Sequence, residues 1–150
     1  VIEYISMDLK QDELQFHNPL HRRILAEAES HLHDQNFTAE RYFLAHPDPT
    51  ISKLAAEMIN DRYQLSKYHS KSQKIVTDEE RLHELVPHQI IDFKLAILEE
   101  EMKHTLQALS KPEVAQDANK CLEIMAHYKE LSELLKEMAK RAGDRVVLKA

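Results

Sequence analysis

The chain of 150 residues has 43% hydrophobic and 31% charged residues, a net charge of −6, and one glycine against five prolines. An α/β or all-β domain needs glycine in its turns and phosphate loops, so a single glycine points to an all-α fold. Charges of both signs are interspersed, which argues against a dedicated nucleic-acid surface, and a mean hydropathy of −0.54 without a long uncharged apolar run argues against a transmembrane helix.

The first residues, Val1 to Ile5, lack an initiator Met and read as mid-protein sequence, so a longer parent protein is expected. Residues 1–17 are acidic and weakly patterned, with a short helix expected around Asp8–Phe16. Asn18-Pro19 is an N-cap followed by proline at the first helical position, where its missing N–H costs nothing. Leu20, Ile24, Leu25, Ala28 and Leu32 then recur on one helical face. Thr38 is placed to cap a helix carrying Tyr42, Phe43 and Leu44.

His46-Pro47-Asp48-Pro49-Thr50 repeats the capping grammar. Pro47 biases His46 away from the α region and ends one helix, while Asp48-Pro49 starts the next. Ile51, Leu54, Ala55, Met58 and Ile59 form the apolar stripe of that helix. The segment therefore reads as a joint between helices, and as a metal site it offers only His46 and Asp48. Asp61–Ser72 is polar with spaced aromatics and reads as a fraying helix. Thr77 and Glu80 make a capping box, and Pro87 is expected to end or kink the helix so begun.

From His88 the pattern changes. Ile91, Leu95, Leu98, Met102, Leu106 and Leu109 recur at spacings of three or four, and Ser110-Lys111-Pro112 breaks the series. A second series, Ala118, Cys121/Leu122, Met125, Tyr128, Leu131, Leu135 and Met138, ends at Gly143, a candidate C′ glycine. Two long helices with a two- or three-residue connection predict an antiparallel hairpin, roughly 33 and 45 Å long at about 1.5 Å per residue. The expected architecture is all-α: a compact bundle of short helices over 1–86, then a long helical hairpin over 87–150. Two helices have little mutual surface in which to bury wide apolar stripes, so such a hairpin suits protein–protein interaction.

Catalytic signatures are missing: no Gly-rich phosphate loop, CxxC, HExxH or GxSxG occurs. The ten histidines are poorly spaced for ligation. His31 and His33 diverge on a helix, Asn18-Pro19 separates His17 from His21, and His83 and His88 flank Pro87. Glu101-x-x-His104 matches one half of a di-metal helical motif, yet Glu123 meets Ala126 at the matching spacing, so Glu99-Glu100-Glu101 reads as a solvated face. Cys121 is the lone cysteine, which suits a reducing cytoplasm and a packing role. A basic cluster, Lys136, Lys140, Arg141, Arg145 and Lys149, lies near the last helix end, where cations complement the macrodipole. No catalytic, cofactor-binding or metal-ligating residue is assigned.

Three segments carry a resemblance: "RYFLAHPDPTISKLAAEMINDRYQLSKYHSK" at 41–71, "ELVPHQIIDFKLAILEEEMKHTLQAL" at 84–109, and "AKRAGDRVVL" at 139–148. Together they resemble the C-terminal domain of bacterial replicative DNA primase. The resemblance implies a bundle and a helical hairpin that dock on the N-terminal domains of the hexameric replicative helicase, coupling primer synthesis to unwinding in the primosome. It implies a cytoplasmic bacterial protein whose nucleotidyltransferase core, of the Toprim type, and whose zinc and magnesium lie in upstream domains, leaving this chain non-catalytic and without a cofactor. DNA would be contacted by the parent protein. No helicase-contact residue transfers from the family one by one. The physical expectation places the contacts on the second hairpin helix and its tail: Tyr128, Leu131, Leu135, Met138, Val146, Val147 and Leu148, with Arg141 and Arg145 at the rim. The alternatives are a helical metal-binding enzyme built on Glu101 and His104, and a hairpin that self-associates.

Overall fold

A computed structural model describes residues 1–69 and 81–143, with 61–69 as backbone alone. Every regular element among the described residues is helical, as one glycine led us to expect, and the chain divides into two compact units, Val1–Leu82 and His83–Ala150. None of the described helices is long and apolar enough to cross a membrane.

In the first unit α1 spans Ile2–Gln11, α2 Pro19–Ser30, α3 Ala39–Leu44 and α4 Pro49–His69. The first helix begins six residues before the expected Asp8. Ile2, Ile5 and Leu9 fall three and four apart, and Ser6 and Leu9 are buried; the intervening acidic residues hide this short stripe in the sequence. The helix stops at Asp12-Glu13, where Glu13 takes the left-handed φ of 54° and the Leu14 N–H returns to the Leu9 carbonyl. Lys10 and Glu29 form an ion pair between α1 and α2.

Asn18 caps α2, its Oδ1 accepting the Leu20 N–H at 2.9 Å. Thr38 occupies the N-cap position of α3 without a side-chain cap bond. Asp48 caps α4, Oδ1 accepting from the Thr50 N–H at 2.9 Å. Helices α1 and α2 pack together, as do α3 and α4. Ile51 in the first turn of α4 is the one described side chain excluded fully from solvent, whereas Met58 on the same stripe is 63% exposed.

The second unit contains α5 (Leu82–Leu109), a one-turn α6 (Pro112–Ala115) and α7 (Ala118–Ala142). Pro87 does not end its helix: α5 runs through it. The proline sits in the second turn, where its absent N–H forfeits a single bond, to the His83 carbonyl, near an end already short of partners. The connection is longer than the sequence suggested because Pro112 starts a turn of helix instead of merely breaking one. Asp117 then caps α7, accepting from the Asn119 and Lys120 N–H groups at 3.1 and 3.3 Å. Gly143 closes α7 with φ 69° and ψ −152°, its N–H bonded to the Lys140 carbonyl.

The helices α5 and α7 meet along a seam of Leu95, Ala139 and Ala142, against which Ile91, Leu135 and Met138 pack. Further along α5, Glu101 lies 3.6 Å from His127 on α7. A later residue of one helix meeting an earlier residue of the other fixes an antiparallel hairpin. The Thr77–Glu80 capping box lies outside the described residues.

Candidate functional sites

The His46–Thr50 joint is a hydrogen-bonded hub. Arg23 and Glu27 are four residues apart on α2 and so share a face. Glu27 Oε1 accepts from Arg23 Nε at 2.9 Å, and Oε2 accepts from His46 Nε2 at 2.7 Å and from the Tyr42 hydroxyl at 3.2 Å. The Asp48 backbone N–H donates to His46 Nδ1 at 3.0 Å, so the imidazole proton resides on Nε2, facing Glu27. Arg23 Nη1 also donates to Asp48 Oδ2 at 2.6 Å, tying α2 to the start of α4.

These bonds set the electrostatics. Partial burial raises the Glu27 carboxyl, but hydrogen bonds from His46, Arg23 and Tyr42 outweigh it and hold the group below its ordinary value. Asp48 is lowered by the Thr50 backbone N–H and then by Arg23. Hydrogen bonds to Asp48 and Glu27 raise the Arg23 guanidinium. Desolvation, followed by its bond to Glu27, raises the Tyr42 phenol. Both nitrogens of His46 and both carboxylate oxygens of Asp48 are engaged, so the two groups that suggested a ligand loop serve to join helices. An aromatic cluster adjoins the hub: His31 stacks on Phe37 at 4.9 Å between ring centroids and tilts against Tyr42 at 4.7 Å.

On the hairpin, the expected contact residues separate by burial. Leu131 is 7% exposed, Leu135 and Met138 pack on the seam, and Tyr128 is half-buried. Arg141 is exposed and paired with Glu137 at 3.2 Å. Arg145, Val146, Val147 and Leu148 lie outside the described residues. Among the described residues of α5 and α7, the large apolar side chains near half exposure or above are Leu106, Leu122, Met125 and Leu134, at 47, 65, 58 and 49%. Of these, Leu134 was not singled out from the sequence, and its signal was the Leu134-Leu135 pair: two adjacent leucines cannot both enter one seam. A groove lined by Met102, Leu106 and Leu135, with Glu99, Lys103 and Gln107 at its edge, runs along the hairpin.

Glu101 pairs with His127 across the seam, and no group of three or more His, Cys, Asp or Glu among the described residues converges on a metal-sized site. Cys121 is half-buried, its thiol donating to the Val114 carbonyl at 3.1 Å, which fastens α7 to α6.

The chain belongs to the family described as Domain of unknown function (DUF8430), whose model matches residues 1–146. No curated protein and no solved structure matches it.

Proposed function

We propose that this member of the DUF8430 family is a non-catalytic docking domain that binds the N-terminal domains of a hexameric replicative helicase. The observation that carries the reading is the resemblance of 41–71, 84–109 and 139–148 to the C-terminal domain of bacterial DNA primase. The local chemistry supports it. Within 41–71, Tyr42, His46 and Asp48 are occupied in binding helices to one another. Within 84–109 runs α5, which with α7 leaves four large hydrophobics near half exposure or above. Exposed apolar side chains on a two-helix unit are the usual substrate of helix-mediated docking. On this reading the parent protein is a primase, a cytoplasmic nucleotidyltransferase of the primosome. Its catalytic core, zinc and magnesium would lie outside this chain.

The test mixes the purified chain with the cognate helicase hexamer at micromolar concentrations and follows size-exclusion chromatography. Co-elution is the expected result, and a chain that elutes alone refutes the reading. The same exposed leucines favour a second reading, self-association through the hairpin. Light scattering distinguishes the two, because a monomer at concentrations where the hexamer is bound rules the second out.

A further inference from the structure

Beyond its seam, α7 carries a second regular face. Leu122, Met125, Lys129, Ser132, Lys136 and Lys140 follow one another at spacings of three or four, which aligns them along one side of the helix. Leu122 and Met125 are 65 and 58% exposed, and the three lysines are exposed. Lys120 and Arg141, off this face, are committed to Asp117 and Glu137. Among the described residues, Lys129, Lys136 and Lys140 take part in no ion pair. Glu123, Glu130 and Glu137 repeat every seven residues on a different face; of the α7 glutamates, Glu133, four residues after Lys129, and Glu137, three before Lys140, border the stripe.

The hairpin extends this surface on the α5 side. His127 and Glu101 meet on one side of the seam. The groove of Met102, Leu106 and Leu135 opens on the other side, the side to which the lysine stripe belongs, and exposed Lys103 stands at its edge. The surface is therefore apolar toward the α6 end and cationic toward the Gly143 end.

We infer that this face is the docking surface, and that its partner is an amphipathic helix with apolar residues at one end and acidic residues along the same face. The inference rests on the docking reading and adds the chemistry of the partner. Charge complementarity selects the occupant: unpaired cations in register steer and orient an acidic helix, and exposed Leu122 and Met125 need apolar side chains to cover them. Lys129 and Lys136 are about 10.5 Å apart along the axis and Lys140 about 6 Å further, so the matching carboxylates are spaced seven and four residues apart. A nucleic acid fits less well. The stripe has no aromatic for stacking bases, its apolar end gains nothing from phosphate, and Glu133 and Glu99 flank it.

The experiment uses the full chain and three probes: the cognate helicase hexamer, a synthetic helical peptide, and a single-stranded oligonucleotide. The peptide has two leucines at one end and glutamates at the seven-and-four spacing; a version with scrambled glutamates is the control. Binding is read by fluorescence anisotropy at ~50 and ~150 mM NaCl, with helicity by circular dichroism confirming that each variant folds. The expected result is that Lys129→Glu with Lys136→Glu weakens both peptide and hexamer at least about tenfold and removes the salt dependence. Leu122→Ala with Met125→Ala weakens both but leaves the salt dependence. Peptide binding without hexamer binding refutes the helicase reading and keeps the surface. Hexamer binding that these variants leave untouched refutes the surface and keeps the reading. Equal affinity for the scrambled peptide, tighter binding of the oligonucleotide, or a dimer dissolved by the Leu122 and Met125 changes each overturns the inference.

Discussion

Replacing Glu27 by alanine tests whether the hub holds the first unit together. The carboxylate is 24% exposed and its principal donor, the His46 ring, only 5%. Deletion strands the Nε2 proton of His46 away from water, and a hydrogen bond to a charged group is worth about 1.5–3 kcal/mol. The Arg23 contact adds little because that side chain is 48% exposed and screened by salt. Glu27→Ala is therefore expected to cost the first unit ~2–3 kcal/mol. Glu27→Gln keeps one carbonyl acceptor without its charge, and neutral bonds are about half as strong, so it is expected to cost roughly half as much.

The assay is urea unfolding followed by amide NMR signals of Ala28, Tyr42 and Asp48, with Leu95 and Ala139 reporting on the second unit. At a slope of about 1–2 kcal/mol/M, the loss moves the first unit's midpoint down by about 1–3 M. The His46 Nε2 proton supplies a second readout: protected from exchange in the wild type, it is expected to broaden or vanish in the variant. A first-unit loss below about 0.5 kcal/mol, within the range of an ordinary surface change, together with a retained His46 signal, refutes the hub argument.

The pH dependence follows from the same bonds. Glu27 and Asp48 have folded values below their ordinary 4.5 and 3.8, so their contribution is complete above those values and lost as pH falls through the depressed ones. Acid unfolding of the first unit is expected to begin below about pH 5 and to be shallower in Glu27→Ala. Tyr42, raised in the folded state, works in the opposite direction, its contribution present below about pH 10 and lost above. Ile51→Ala, at a site with 0% exposure, is expected to cost about 2–5 kcal/mol in urea unfolding. Gly143→Ala meets open space around its new Cβ, yet φ is +69° and ψ −152°. Its expected cost of about 1–3 kcal/mol is thus backbone strain alone, and amide exchange at the end of α7 checks it.

Sequence patterns revealed most of the fold because they rest on local chemistry. Asn18-Pro19 and Asp48-Pro49 cap helices as their side chains require, and the two apolar series after His88 became α5 and α7. What escaped depends on context. The α1 stripe is only a few residues long, α5 continues through Pro87 because of that residue's place in the second turn, and Pro112 begins a turn whose existence only the chain on both sides decides. The hub was half legible. His46 and Asp48 drew attention as polar residues between prolines, but Glu27, nineteen residues before His46, has no sequence signal, since tertiary partners are set by packing and not by spacing.

The hairpin helix α7 meets two demands with one periodicity, and this decides how its mutations should be read. Residues 135, 138, 139 and 142 face α5 and buried Leu131 lies on the same side of the helix, whereas 122, 125, 129, 132, 136 and 140 run along a face turned about 120° away. An apolar series read at spacings of three or four cannot tell the two faces apart, because Leu122 and Met125 belong to the same register of hydrophobic letters as Leu131 and Leu135. Burial separates them: Leu131 is 7% exposed and Leu122 65%. Leu131→Ala therefore removes a buried side chain and is expected to cost about 2–5 kcal/mol of stability. Lys129→Glu alters only an exposed charge and is expected to leave stability within about 0.5 kcal/mol. Lost binding in a Leu131 variant then has two explanations, unfolding or a lost contact, while the same loss in a Lys129 variant has one. The lysine face is thus the place where an interaction can be tested without disturbing the structure that presents it.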